Sequence, residues 1–374
     1  MKHKPTVIMD FNQKRLTFEK PLQIWQTHKL ENVDEIFEKV QEAIQDQYYV
    51  AGYVSYECAP AFDSHFSVCE PDEEFPLVWF GVYEKPVEEV DTGERGEYSV
   101  SEWIAGTNRA EYSDNIESIH AAIARGETYQ VNYSTRLKAS FTGDDLAYYE
   151  DLRDARTNYS AYINMGRHRI LSVSPELFFH WNGDLIRTKP MKGTLPITGS
   201  KQTLFESEKN RAENVMIVDL LRNDLNRIAQ TGTVKVPRLF EIEEYPTLYQ
   251  MTSTVEANTQ PGVTLFDVFQ AMFPCGSITG APKISTMKLI SSLEKEPRHI
   301  YCGSIGLAVP GEGITFNVAI RTVLIDSLAQ LAVYGVGGGV IWDSTADDEY
   351  EEMRTKSKVL TYRNAGLGDK HKHK

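Results

Sequence analysis

Residues 167–188 read RHRILSVSPELFFHWNGDLIRT, and the Asn182-Gly183 pair inside this stretch constrains the fold more than any other feature. Asn-Gly between strand-forming residues marks a two-residue hairpin, because the turn that matches strand twist needs positive φ at both central positions. A hairpin joins antiparallel strands, whereas parallel neighbours need a crossover of a dozen or more residues. Strand-like patterns recur in YQVNYSTRLKASF (129–141), GSIGLAVPGEGITFNVAIRTVLID (303–326) and LAQLAVYGVGGGVIW (328–342). Between them lie helical periods. Val33, Ile36, Phe37, Val40 and Ile44 form one apolar face. Tyr112, Ile116, Ile119 and Ile123 form another, ended by Gly126. Residues 208–230 predict a long helix with Val215, Val218, Leu225 and Ile228 inward and Gly232 past its end, and residues 347–365 predict a last one. Hairpins interleaved with helices predict an α+β fold with mainly antiparallel sheets flanked by helices, not a doubly wound parallel sheet. The run GVGGG lacks GxGxxG spacing, which argues against a dinucleotide site.

The chain has 374 residues, 41% apolar and 25% charged, and a formal charge of −14. An acidic balance argues against a nucleic-acid partner, whose binding is driven by basic surface. Cys58, Cys69, Cys275 and Cys302 are far apart and form no CxxC pair, which fits a reducing compartment. The N-terminal MKHKPTVIMDFNQ lacks the apolar run of a signal peptide, and no stretch is apolar enough to span a bilayer. The expectation is a cytoplasmic protein with no membrane contact. The acidic, glycine-punctuated segment 87–102 reads as a linker, separating residues 1–100 from residues 101–365; residues 366–374, ending KHKHK, read as a disordered tail.

Several constellations could carry chemistry. On the last helix Glu349, Glu352 and Lys356 share a face, either as a solvated salt-bridge stripe or as a hard-cation site. Glu213 borders the apolar stripe of the long helix, beside Ile217, Leu220 and Asp224; it is a surface glutamate or a carboxylate placed next to the core. Asp219, Arg222, Asn223 and Asp224 read as an internal ion-pair network. In FPCGSITGAPKISTMKLI a helix starts at Thr279-Gly280-Ala281-Pro282, where free amides and Lys283 could bind an anion or merely cap the helix. The small residues Gly276, Ser277, Gly280 and Ala281 indicate close approach to the backbone. Gly335, Gly337, Gly338 and Gly339 can present successive amides to a carboxylate. Arg321, on a mostly buried strand, needs an anionic partner. Glu176 follows a proline and precedes an apolar strand, where burial would raise its pKa and suit a general acid; a strand-edge glutamate is the plainer reading. Lys192, between Pro190 and Gly193, is a turn residue or a held amine.

Taken in order, YQVNYS, SPELFF, KPMKGT, RAENVMIVDLLRNDL, PCGSITGAPK, YCGSIG, FNVAIRT, GVGGGV and DEYEEMRTKSK resemble the chorismate-utilising enzymes, the family of anthranilate, aminodeoxychorismate, isochorismate and salicylate synthases. They cover residues 105 to 365, and SYECAPAFD resembles the N-terminal region of the aminodeoxychorismate-forming members. The resemblance implies two packed antiparallel sheets with helices outside. It also implies Mg²⁺ held by Glu213, Glu352 and, through water, Glu349. Arg321, Tyr301 and the Gly337, Gly338 and Gly339 amides match the grip on the enolpyruvyl carboxylate of chorismate; Lys356 and Thr279-Gly280 match residues near its ring carboxylate. Glu176 matches the acid that protonates the departing C4 hydroxyl.

Within the family, members that use water have a lysine base where this chain has Gln130, and anthranilate synthases have alanine where it has Lys192, next to Thr194. The resemblance therefore implies amination at C4, with Lys192 adding first at C2 and ammonia then displacing it, toward 4-aminobenzoate and folate. Amination at C2, as in anthranilate synthase, and a non-catalytic chorismate-binding protein are the alternatives. Gln250 stands where several relatives have histidine. The LLES-type segment of tryptophan-regulated relatives is absent, so tryptophan feedback is not expected. No GxCxG elbow is present, so the expected ammonia source is a separate glutamine amidotransferase subunit.

Overall fold

The computed structural model describes residues 6–88, 95–154, 157–245 and 248–361. It contains two ten-stranded sheets whose paired strands run antiparallel, as expected. In the first sheet the order is Gly280–Ala281, Gln130–Gly143, Leu331–Val340, Thr322–Asp326, His168–Ser174, Tyr159–Asn164, Val7–Phe11 and Lys14–Phe18. In the second it is Met191–Pro196, Leu248–Asn258, Leu185–Lys189, Leu177–Trp181, Gly313–Asn317, Ser304–Val309, Tyr49–Val54, Val78–Tyr83 and Gln23–Thr27, with Lys235–Glu244 also on Leu248–Asn258. A hairpin forms between Leu177–Trp181 and Leu185–Lys189, but its turn centres on Gly183-Asp184, with positive φ at Gly183 alone; Asn182 precedes it, and its side chain accepts from the Asp184 and Leu185 amides.

Three apolar clusters fill a helix–sheet–sheet–helix stack. One lies between the sheets and joins Met9, Phe18, Tyr53, Trp79, Ile163 and Ile305. The others pack helices Val33–Gln45, Glu208–Asn226 and Leu265–Met272 on the second sheet, and Arg109–Ala124, Asp145–Arg153 and Ala346–Ser357 on the first. Strands covered on both faces need no polar alternation, which is why Val78–Tyr83 is buried at every position. Strands from the first hundred residues enter both sheets: Val7–Phe11 pairs with Tyr159–Asn164, and Tyr49–Val54 with Ser304–Val309.

Some expectations change. The long helix buries Ile217, Val218, Leu221 and Leu225, while Val215 falls on its open side, 40% exposed. Within the expected linker, Tyr98–Val100 is a strand paired to the end of Gln130–Gly143; residues 89–94 and the tail 366–374 lie outside the described residues. The last helix is Ala346–Ser357, followed by one tight turn. Residues 303–326 are three strands, and Val318–Arg321 is the passage from one sheet to the other. Among the described residues no helix is long and apolar enough to cross a membrane.

A buried charge network fastens the sheets' ends together. The Glu294 carboxylate accepts from Arg136, Arg298 and the Ser134 amide and hydroxyl. Arg298 in turn donates to the Ile278 and Asn132 carbonyls, and the Arg298 and His299 amides donate to Glu57. Removing one member leaves buried charge unpaired, so Glu294→Ala should cost about 3–5 kcal/mol of unfolding free energy, read from urea denaturation.

Candidate active site

Lys192 lies on the strand Met191–Pro196, whose register against Leu248–Asn258 slips between Met191↔Thr252 and Thr194↔Gln250. Lys192 and Gly193 together face one partner residue, a bulge that re-aims the side chain. Gly193 has φ 87°, and a Cβ there would lie 2.8 Å from Asn210 Cγ, so only glycine fits under the long helix. The Lys192 side chain is 15% exposed, with Nζ 3.9 Å from Glu213 Oε2 and 3.2 Å from the point a Cβ on Gly339 would occupy. It is a held amine, not a solvated one.

The glycine strand Leu331–Val340 supplies the room. Its pairing with Thr322–Asp326 ends at Tyr334, while the ladder to Gln130–Gly143 continues through Gly339↔Asn132, so past Tyr334 alternate amides lose their second neighbour. A Cβ on Gly335 would collide with the buried Tyr301 ring, over which the Arg136 guanidinium sits at 5.5 Å. A Cβ on Gly338 would lie 2.8 Å from Glu349 Oε2, 3.6 Å from Glu352 Oε1 and 3.6 Å from Lys356 Nζ. Lys356 Nζ is 2.7 Å from Glu352 Oε1 and donates to the Gly337 carbonyl at 2.8 Å. Glu349 Oε1 accepts from Ser344, and Glu349 Oε2 is buried without a partner among the described residues. Burial raises the Glu349 carboxyl. It acts the same way on Glu352, where the Lys356 ammonium outweighs it and holds the carboxyl low.

An orphaned carboxylate oxygen, a second carboxylate and bare backbone beside them fit a hard divalent cation. Glu213 does not join this pair: among the described residues no three acidic, histidine or cysteine side chains close on one point, and Glu213 faces Lys192 instead.

Glu176 stands in the passage between His168–Ser174 and Leu177–Trp181, which belong to different sheets. It is 3% exposed, and Ser277 Oγ donates to its Oε1 at 2.7 Å. Burial pushes its carboxyl from 4.5 up to about 7, against the pull of the Ser277 bond and of the Lys192 and Arg321 charges. Arg321 is not on a strand; it ends the other passage, at φ 51°, and forms no ion pair among the described residues. Gln130 is 1% exposed, and both polar atoms of its carboxamide lack partners among the described residues. Its Nε2 lies 2.6 Å from the Cβ point of Gly339, so it faces Lys192 across the bare strand.

Thr279 is buried with its hydroxyl on the Cys275 carbonyl, and Gly280–Ala281 pairs with Val131 and Gln130 as a short strand. Lys283 does not serve an anion there: Nζ is held by Asp224 Oδ2 at 3.1 Å and the Met272 carbonyl at 3.2 Å, because a buried ammonium takes the nearest carboxylate. Asp224 is thus internal, as expected, but pairs with Lys283; Asp219 and Arg222 pair with each other on the exposed side of the helix, so the expected internal network does not include them. Gln250, 2% exposed, donates to Thr194 Oγ1 at 3.2 Å. Ser277 and Ser344 escaped the sequence reading; smallness alone marked Ser277, and only its contact with Glu176 reveals more.

The raised Glu176 carboxyl has a stability signature. The folded state keeps a proton that the unfolded state releases near 4.5, so its contribution is full below that pH and is lost as pH rises to about 7, roughly 3 kcal/mol in all. Glu176→Gln should remove that slope from urea-unfolding free energies measured across the window.

Comparison with known proteins agrees with this architecture. The model of the family described as chorismate binding enzyme matches residues 90–362. Aminodeoxychorismate synthase component 1 of Salmonella typhimurium is 41% identical over 266 residues, 68% of this chain and 58% of that protein, so the chain spans less than two thirds of that relative. The Escherichia coli protein of the same name is 32% identical over 386 residues, covering 94% of this chain and 84% of the relative. An anthranilate synthase component 1 of Haloarcula marismortui is 36% identical over 260 residues, 67% and 53% respectively. Among solved structures, anthranilate synthase component I from Streptococcus pneumoniae superposes with TM-score 0.78 at 25% identity, covering 96% of this chain and 91% of that one. The menaquinone-specific isochorismate synthase of Escherichia coli shares the fold, with TM-score 0.75 at 16% identity, over 96% and 88%. The family match over most of the chain, and the identity that runs through nearly all of it, make this protein a member of the chorismate binding enzymes.

Proposed function

We propose that the chain aminates chorismate at C4 with ammonia, giving 4-amino-4-deoxychorismate through a covalent adduct of Lys192 at C2. The observation that carries this reading is the placement of Lys192 by its bulge, between the bare Gly339 backbone and Glu213, with its charge felt at buried Glu176. A lysine so held can serve as a nucleophile when neutral. Gln130, unlike a lysine, offers no basic nitrogen to activate water, which supports amine chemistry over hydration. The relatives named aminodeoxychorismate synthase component 1 support the same substrate and product.

Lys192 Nζ forms a bond to C2, both ring double bonds shift, and the C4–O bond breaks while Glu176 gives its proton to the leaving hydroxyl, which departs as water. The adduct nitrogen keeps its extra proton, which lets it leave later as a neutral amine. Ammonia then adds at C4, the double bonds return, the C2–N bond breaks to free Lys192, and the proton lost by the new amine restores Glu176. Arg321, Tyr301 and the Gly337, Gly338 and Gly339 amides hold the enolpyruvyl carboxylate; Thr279-Gly280 and Lys356 lie by the ring carboxylate. Glu349 and Glu352 would hold Mg²⁺, which when bound would supply positive charge to fix the ring carboxylate, while Glu213 pairs with Lys192. Ammonia comes from a separate glutamine amidotransferase, in keeping with relatives named as component 1.

The test is incubation with chorismate, Mg²⁺ and ammonium salt. Expected is a product that becomes 4-aminobenzoate only when a lyase is added; direct anthranilate fluorescence would instead mean amination at C2. Lys192→Ala should lose more than about 10³-fold in kcat, and undiminished turnover would remove the covalent role. Chelation should abolish turnover, and added Mg²⁺ should restore it. Glutamine should replace ammonium only when an amidotransferase is present.

A further inference from the structure

Ser277 lies in a single tight turn, Gly276–Ile278, and its hydroxyl donates to Glu176 Oε1 at 2.7 Å. Cys275 Sγ lies 3.3 Å from the same hydroxyl oxygen. A serine has one proton to give. With that proton spent on Glu176, Ser277 can only accept from Cys275, so the thiol is the donor. It remains able to donate, because burial, with the Glu176 charge adding to it, pushes the Cys275 thiol up to about 12. The polarity of the chain is therefore set: thiol to hydroxyl to carboxyl.

The turn has little freedom to do otherwise. Thr279 Oγ1 donates to the Cys275 carbonyl at 3.1 Å, and Arg298 donates to the Ile278 carbonyl at 2.9 Å. The Leu220 side chain of the long helix occupies the space a Cβ on Gly276 would need.

From this geometry we propose that Ser277 is a positioning residue for the proton-transfer step, fixing which oxygen of Glu176 carries the proton, with the Cys275 thiol orienting Ser277. The proposal rests on reading Glu176 as the general acid. A hydroxyl donated into Oε1 makes that oxygen the poorer home for a proton and favours Oε2; the Met191 amide, which also donates to this carboxyl, is kept when Ser277 is replaced. The proton passes from Oε2 to the hydroxyl oxygen as the C4–O bond breaks, and the bond from Ser277 stabilises the carboxylate left behind. The other charged or titratable groups facing Glu176 are Lys192 on the strand Met191–Pro196, Arg321 in the neighbouring passage and Cys275 in the turn itself. All three are kept when Ser277 is replaced.

The experiment is the pH profile of ammonia-dependent turnover, coupled to a lyase. Loss of a donor that favours the carboxylate raises the acid's pKa, so Ser277→Ala should move the alkaline limb of kcat upward by about one pH unit. The kcat plateau should fall about tenfold, with KM for chorismate changed less than about twofold. Ser277→Thr keeps the hydroxyl and should restore limb and plateau. Ser277→Cys, a weaker donor, should move the limb by a smaller step in the same direction, and decides the matter if the alanine variant does not fold. An unmoved limb in the alanine and cysteine variants, or no rescue by threonine, overturns the proposal. Glu176→Gln separates the two claims. If it retains turnover and the limb, the acid reading itself fails; if it is inactive while Ser277→Ala keeps its limb, only the role of Ser277 falls.

Discussion

Two of the places where the chain passes from one sheet to the other touch, and the site depends on that contact. One passage runs from Ser174 to Leu177, the other from Asn317 to Thr322. The Val318 amide donates to the Glu176 carbonyl at 3.0 Å, Ser174 Oγ donates to the Val318 carbonyl at 2.6 Å, and the Val173 amide donates to the Arg321 carbonyl at 3.0 Å. Backbone leaving a sheet loses its ladder partners, and two passages laid side by side satisfy one another. The result places an acid and an arginine in the space between two sheets, where neither would be stable on a chain crossing alone.

The glycine strand is the second constraint, and it works by omission. Tyr301, Glu349 with Glu352 and Lys356, and Gln130 with Lys192 all use volume that side chains at 335, 338 and 339 would have filled. The groups therefore sit closer to backbone than packed side chains allow, with bare amides among them. Beneath lies the Glu294–Arg136–Arg298 network, which ties the Ile278 and Asn132 carbonyls on either side of the site to one buried carboxylate. A buried network so fully satisfied holds geometry well, and geometry within a fraction of an ångström is what a reactive amine and an acid need.

The hairpin around Gly183, the helices beginning at Val33, Arg109 and Glu208, and the shared face of Glu349, Glu352 and Lys356 were legible, since each rests on a local period or a turn of two residues. The passages were not. FNVAIRT looks like strand throughout, because nothing in it says that its middle changes sheets. Lys283 looked free because its partner, Asp224, is fifty-nine residues away. Val215 was misplaced because apolar character alone does not tell which flank of a helix the core covers.

By itself the sequence determined the kinds of element, their antiparallel pairing and the chemical types on hand: an amine, several carboxylates, an arginine and a glycine run. Strand and helix periods, turns and composition are properties of neighbouring residues, so they can be read without the fold. Only the tertiary structure decided that Lys192 meets Glu213 and Gly339, that Gln130 is buried without partners among the described residues, and that Ser277 holds Glu176. It also decided that the Glu176 carboxyl rises from 4.5 to about 7, because desolvation depends on everything packed around a group and not on the residues beside it in the chain.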